Sequence, residues 1–330
     1  MAGLGTTRLT YSELAKRLGP DGKIAEAVNI LAQTNEMIDD MVVTEGNLPN
    51  GHQIAIKTAI TTPVLRMYNQ GVSPTTGKSG QIVEPMAMLE DRSEADKDLA
   101  ELNGNVGQFR MDEAETHLEG MNQRFQESFI YGSAATPGDI IGFAPRYSDL
   151  SGGNADNILD GGGTGSDNLS IFLVGWHKKY CHAFHPKGAK VGLLHEDLGI
   201  IDAFDADNKR FRAYSDWFQW KFGLAVGDWR YVVRIANIDV SNLVNESSAA
   251  NLIKLMSKSI DRIPSRSASL SFYCNATVTS MLRIQGLNNS TSAVEVQRAL
   301  DQFGRVGSIS FLGIPVKRVD QMLNTEERVV

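Results

Sequence analysis

The chain has 330 residues, 42% of them hydrophobic and 22% charged, which is enough apolar material for a substantial buried core. Its 39 acids against 32 bases leave a net charge of -7, which excludes an overall electrostatic footprint for wrapping nucleic acid. The two cysteines, Cys181 and Cys274, lie far apart and in no CxxC pattern, so a disulfide framework and a thiolate zinc site are excluded and two reduced thiols in strands are expected.

Residues 1–10 contain no basic region followed by an apolar run, so no secretory signal is expected there. The longest apolar runs, such as residues 171–174, are too short to span a bilayer. Synthesis and assembly in a cytoplasm are the expectation. Thr10 and Glu13 have capping-box spacing and open a short helix that Gly19-Pro20 ends. A second helix follows, with Ile24, Val28, Leu31, Ile38 and Met41 on one face. These two amphipathic helices are too small to form a core, so their apolar stripe must dock elsewhere. From Asn47 to Glu84 the chain is rich in Gly, Thr, Ser and Pro. Ile54, Ile56 and Thr58 alternate there with Ala55 and Lys57, which predicts a strand, and residues 65–68 are expected to begin its return.

Ser93 and Asp96 open a helical piece through Leu102, which Asn103-Gly104-Asn105 and Gly107 interrupt. Asp112 and Glu115 are read as the start of a second, longer piece ending at Tyr131-Gly132. Its Ala114, Leu118, Met121, Phe125 and Phe129 form one apolar stripe, while Glu113, Glu115, Glu119 and Glu127 lie off it. Residues 151–170 read as a loop. Strands are expected at 171–174, 229–235, 270–273 and 308–312, and helices at 245–260 and 292–303. The C-terminal half is therefore α+β.

None of the chemical candidates has the surroundings its chemistry requires. Gly77-Lys78-Ser79 lacks the earlier glycine of a phosphate-binding loop, because that position is Val72, and no apolar strand leads into it. The run from Gly161 to Ser166 has backbone amides for a phosphate, yet Asp160 and Asp167 flank it with the wrong charge. His177, His182, His185 and His195 cluster in sequence. However, His182 and His185 are placed on opposite faces of a strand end, and no acid stands at a matching interval. There is no GxSxG elbow. No catalytic residue, metal or cofactor is expected, and the protein is read as structural and not as an enzyme. A metal- or phosphate-dependent enzyme built on the C-terminal half is the rival from another class.

Several stretches, in order, resemble the major capsid proteins of short-tailed bacteriophages. They include Gln33-Thr34-Asn35-Glu36, Asp39-Asp40, Glu45-Gly46-Asn47, Gly51-His52, then Arg66, Asn69, Gly71 and Val72, and Phe129-Ile130-Tyr131-Gly132. Ile141-Gly142-Phe143-Ala144-Pro145-Arg146-Tyr147 resembles the family's F-x-GL-A-x-R-Y passage, from which Ile141 and Phe143 depart conservatively. His185-Pro186-Lys187-Gly188, residues 234–239 and Gly313-Ile314-Pro315-Val316-Lys317-Arg318-Val319-Asp320 also fit.

The resemblance implies an α+β Hong Kong 97-type capsid fold. Its expected parts are an N-terminal arm (1–46), an extended β loop (47–90), a peripheral domain with a long helix (91–150), and an axial α+β domain (151–330) that returns strands to the peripheral one. It implies a virion protein, made in the bacterial host, that self-assembles through hexamers and pentamers into an icosahedral shell around double-stranded DNA. The DNA would be held without sequence-specific contact, with scaffold, decoration and portal proteins as further partners. Some members of the fold join subunits by Lys–Asn isopeptide bonds; Lys57 and Lys78 lie where a cross-linking lysine would sit, but they are read as solvated loop charges and no cross-link is expected. An encapsulin-like compartment shell is the closer rival. The residues expected at subunit interfaces are Ile24, Val28 and Leu31 of the arm, Ile54, Ile56 and Arg66 of the loop, and Leu118, Met121 and Phe125 of the long helix.

Overall fold

A computed structural model describes residues 36–330 apart from 103, 206, 246–249, 266, 289–293 and 297–308. In chain order the elements begin with helix α1 (Met37–Asp40) and strands β1 (Val43–Glu45), β2 (Gly51–Ala59) and β3 (Lys78–Asp96). Helices α2 (Lys97–Glu101), α3 (Val106–Tyr131) and α4 (Phe143–Arg146) follow. Then come strands β4 (Ile158–Asp160), β5 (Asn168–Trp176), β6 (Cys181–His185), β7 (Leu193–Phe204), β8 (Arg210–Val226) and β9 (Val232–Asp239). The chain continues with helices α5 (Val240–Val244) and α6 (Leu252–Arg262), strand β10 (Ser269–Cys274), helix α7 (Ala276–Asn288), and strands β11 (Val294–Val296), β12 (Ile309–Phe311) and β13 (Ile314–Arg318).

The helix ends follow local chemistry. The Asp96 carboxylate accepts the amides of Asp98 and Leu99 and so opens α2. The Asn105 side chain accepts the amide of Gln108 at the start of α3. Asn251 does the same for Lys254 in α6, satisfying amides that have no carbonyl partner within the helix. Along α6, Leu252, Met256 and Ile260 recur every four residues and are buried, and Pro264 follows its end.

The chain divides into two compact units, with β3, α3 and β8 contributing residues to both. The described residues of the larger unit are 36–87, 126–189 and 222–330. Its centre is a mixed sheet of order β11-β12-β13-β10-β5-β9-β4. Strand β5 is buried along its whole length, which explains why residues 171–174 read as a continuous apolar run with no alternation. It pairs antiparallel with β9 and β10, and β10 pairs parallel with β13. Leu252, Met256, Ile260, Val278 and Leu282 of α6 and α7 close the core over this sheet with Leu173, Ile235 and Phe272. A second sheet has the order β1-β6-β8-β3-β2, with β7 joined to β8.

The described residues of the smaller unit are 88–125, less 103, and 190–221, less 206. Here β7 and β8 form a long antiparallel ribbon from Leu193↔Trp220 to Phe204↔Arg210, with an irregularity between Asp197 and Gly199. The N-terminal part of α3 carries Phe109, which packs with Ala95 and Ala100.

Several sequence expectations are corrected. The return strand of the extended segment begins at Lys78, and residues 65–68 lead instead into a turn in which Gln70 donates its amide to Met67 O and Asn69 takes φ 65°. Helix α3 starts at Val106, so Asp112 is an interior residue, where it accepts from the Gln108 side chain. Residues 151–170 are not all loop, since a 3₁₀ turn (Ala155–Asn157) and β4 lie within them. Residues 229–231 form a 3₁₀ turn, so β9 starts only at Val232. The helix expected at 245–260 is α6, starting at Leu252. The described part of the helix expected at 292–303 is the strand β11, paired with β12, because tertiary pairing overrides a capping pattern. In the expected arm helix, Met37 is the buried residue, Ile38 is exposed and Met41 is extended. Ile24, Val28 and Leu31 lie outside the described residues.

Candidate assembly surface

The motif residues of the larger unit build a buried polar framework. Arg234, 4% exposed, donates to Ser170 Oγ at 3.0 Å, to the carbonyls of Ala144 and Tyr147, and to Glu326 Oε2 at 2.8 Å. Glu326 also accepts from Ser170 and, at 2.7 Å, from the Tyr131 hydroxyl. Arg146 holds Glu84, 1% exposed, through two bonds of 2.8 and 2.5 Å and donates a third to Ile141 O. Asn237 clamps the chain end, donating to Val329 O and accepting from Val329 N. Asp40 accepts from Lys317 Nζ at 2.7 Å and from the Tyr273 hydroxyl at 2.8 Å. The side chains that made the sequence resemble a family are thus the ones that lock distant segments together.

From the Glu84–Arg146 pair an antiparallel hairpin extends, running from Gly51↔Pro85 to Ala59↔Lys78. Its root is tied down by Gly46 N to His185 O at 2.7 Å and by the Asn47 side chain, which brackets the backbone of Gln53. Ile54 and Ile82 face each other across the strands, and Ile54 and Ile56 are half-buried. Beyond Ala59 almost every side chain is bare. Ile60 is 89%, Leu65 105%, Met67 72% and Tyr68 97% exposed, and Arg66, bonded to Gln70 O, stands among them. Contiguous exposed apolar surface of this kind marks an interaction site.

The apolar stripe of the long helix is buried at some positions and exposed at others. Met121 and Phe125 are each 3% exposed and face the chain's own core, and Phe125 stacks on Trp220 at 4.2 Å. These two anchor the helix within the subunit. Leu118, 38% exposed, and Met111, 69% exposed, lie seven and fourteen residues before Phe125 on the same side of the helix. Met111 is absent from the stripe expected from the sequence, because it falls before the expected helix start.

The chemical candidates do not assemble into a reactive site. The amides of Gly161 and Gly163 are already donated to Ala236 O and Asn237 O, and that of Gly162 to Asp160 Oδ1, so the first three amides of the Gly-rich run are engaged within the chain. Its glycines are required because a Cβ at Gly161 would meet Asn237 O at 2.7 Å. Lys78 begins a strand, not the helix a phosphate-binding loop needs.

The histidines are dispersed. His177 caps the turn before β6 by accepting from Lys179 N, and His185 donates to Pro186 O. In the smaller unit, His195 bonds Asp216 at 2.9 Å, and Arg110 already neutralises Asp216 through bonds of 3.1 and 2.7 Å. His182, 4% exposed, lies edge-on to His52 with centroids 5.3 Å apart. The Nδ1 atoms of His182 and His52 are buried without a hydrogen-bond partner among the described residues. Burial first, then His52 and His177, push the His182 imidazole down to about 4. Burial also lowers His52, opposed by the Glu84 carboxylate. Among the described residues no three His, Cys, Asp or Glu side chains are grouped to hold a metal ion. Both cysteines are free and buried, and burial raises both thiols, Cys274 to about 12, which leaves them protonated and inert.

No curated protein matches the sequence. Among solved structures, a chain of the near-atomic structure of bacteriophage Epsilon15 is 32% identical, with a TM-score of 0.78 over 100% of this chain and 99% of that one. The bacteriophage JBD30 capsid is 8% identical at a TM-score of 0.49, over 89% of this chain and 92% of that one. The SrpI encapsulin complex of Synechococcus elongatus is 9% identical at 0.43, over 65% and 93%. The last two similarities are too low to bear on function. Residues 19–330 match the family described as Major capsid protein GP7, which takes in the hairpin, the long helix and the buried framework alike. The chain therefore belongs to the major capsid protein GP7 family and has the α+β Hong Kong 97-type capsid fold.

Proposed function

We propose that this chain builds an icosahedral phage shell around double-stranded DNA by burying its hairpin and arm against further copies of itself. The observation that carries the reading is the hairpin tip, whose Leu65, Met67 and Tyr68 are left bare among the described residues. Residues 1–46 serve as the arm, with Ile24, Val28 and Leu31 as its docking stripe. Residues 47–90 are the extended loop, with Ile54, Ile56 and Arg66 in contact with neighbours. Residues 91–150 form the peripheral domain, which meets neighbours through Leu118, and residues 151–330 form the axial domain. Many weak contacts repeated by symmetry through hexamers and pentamers give a shell far more stable than any one of them.

The protein has no catalytic role in this reading. DNA is enclosed without sequence-specific contact, in keeping with the net charge of -7. Synthesis takes place in the host cytoplasm, and scaffold, decoration and portal proteins are further partners. Expression of the full chain, followed by size-exclusion chromatography and negative-stain microscopy, tests the reading. Shells or capsomers are expected, and a small discrete species under all assembly conditions would overturn it.

A further inference from the structure

The root of the β2–β3 hairpin meets β6 through two imidazoles. His52, the second residue of β2, lies edge-on to His182 with centroids 5.3 Å apart, and 5.3 Å from the Phe184 ring. Thr44 of β1 stands opposite Phe184, and alternate residues of a strand share a face, so Thr44, His182 and Phe184 point to the same side. Nδ1 of both histidines and the Thr44 hydroxyl are buried there, and none has a hydrogen-bond partner among the described residues. The surrounding charges give the rings no counter-ion. Glu84 is opposite His52 across the hairpin, but Arg146 of α4 already takes both its oxygens. His177, before β6, adds a group that can only become another cation. The neighbouring Cys181 thiol is buried and protonated, and β8 presents the uncharged Ala225 opposite His182.

We propose that the His52–His182 contact is an acid-released latch, which holds the hairpin root against β6 at neutral pH and lets it go as the medium acidifies. Neutral imidazoles meeting edge to face attract each other as aromatic rings do. A protonated ring donates from both nitrogens, and its Nδ1–H would point into a dry space. The Thr44 hydroxyl could accept from one ring only, and a buried cation without an acceptor is costly. A second proton would meet the first across the 5.3 Å contact. Moving β2 away from β6 lets water reach both rings and removes all three penalties. The bond from Gly46 N to His185 O spans the same junction and opens with it. The strands of the seven-stranded sheet contain no histidine, so release is local. Latched rings are neutral and released rings bind protons, so falling pH favours release. With His182 at about 4 when latched and near 6.5 when free, that residue alone favours release about 30-fold more at pH 5 than at pH 7.5.

The latch belongs to the single subunit, so its test does not depend on whether shells form. Amide hydrogen exchange of the unassembled full chain, read by mass spectrometry and corrected for intrinsic rates, compares residues 46–54 with residues 169–174 of β5. Protection at the root is expected to fall about 30-fold between pH 7.5 and pH 5 while that of β5 holds. Unchanged protection at the root would overturn the latch. An equal fall in β5 would also overturn it, because acid would then be opening the whole subunit. Glutamine keeps a polar side chain and takes no charge in this range. In the double variant His52→Gln, His182→Gln the fall at the root is expected to stay within about twofold. The full fall persisting in that variant would assign the acid response to other groups and overturn the proposal. Should the variant not fold, the comparison of root and β5 in the unaltered chain decides by itself.

Discussion

Arg234 and Glu326 illustrate how single side chains hold this fold. Each is buried, and their ion pair shares Ser170 and Tyr131 as neighbours. Breaking one member of a buried pair costs more than the pair contributes, because the other charge is left without compensation. Glu326→Ala is expected to destabilise the subunit by about 3–5 kcal/mol, read as a lower urea midpoint, with Glu326→Gln milder. A midpoint unchanged in Glu326→Ala would show the guanidinium to be solvated.

His182 acts in the acid range. Its unfolded-state value is near 6.5, while burial holds it at about 4 in the fold. Between those values the unfolded chain binds the extra proton. Stability from this group is therefore present above about 6.5, falls as pH drops, and is fully lost below about 4. The loss amounts to roughly 3 kcal/mol at most. His182→Phe is expected to flatten the decline in melting temperature between pH 6.5 and 4. An identical slope in the variant would assign the acid sensitivity to other groups, His52 first.

The β2–β3 hairpin is the element whose behaviour should differ most between subunit and shell. A two-stranded ribbon is marginal in water unless something packs on it, and beyond Ala59 this one has little cover. Lys57, Arg66 and Lys78 are all exposed. Limited trypsin digestion of unassembled subunits is expected to cut at these three first, and the same bonds in shells should resist because a neighbour covers them. Equal rates in both forms, read by mass spectrometry, would remove the hairpin from the intersubunit contacts. Alternation at Ile54, Lys57 and their neighbours made β2 legible in the sequence. The start of β3 was less so, since Lys78, Ser79 and Gly80 have weak strand preference and are held by pairing with Ala59, Lys57 and Ile56.

At the scale of the molecule, the chain passes repeatedly between two units, and strength in a shell comes from repetition of contacts between copies. Lys57 and Lys78 are solvated, and the Asn47 carboxamide at the hairpin root is already engaged by the backbone of Gln53. Amide formation needs a desolvated lysine beside a free carboxamide. Mature particles boiled in denaturant are therefore expected to run on a gel as single chains, and a ladder of multimers would establish covalent joining.

Periodicity and local chemistry were enough to reveal β2, the stripe of α3, the α6 face and the helix opening at Asp96, because those signals act within a few residues. The ordered motifs, from Arg146-Tyr147 to Arg234 and Asn237, marked the family for the same reason that the fold needs them. They are keystones whose partners are fixed. Other features were set by contacts distant in sequence. The Glu326 pair spans 92 residues to Arg234, and Asp40 reaches Lys317 across 277. β11 is a strand because β12 pairs with it, despite a helix-like cap. Nor did spacing alone distinguish the core residues Met121 and Phe125 from the outward Leu118. All three fit one stripe, and only tertiary packing decided which residues of that stripe the subunit buries and which it leaves exposed.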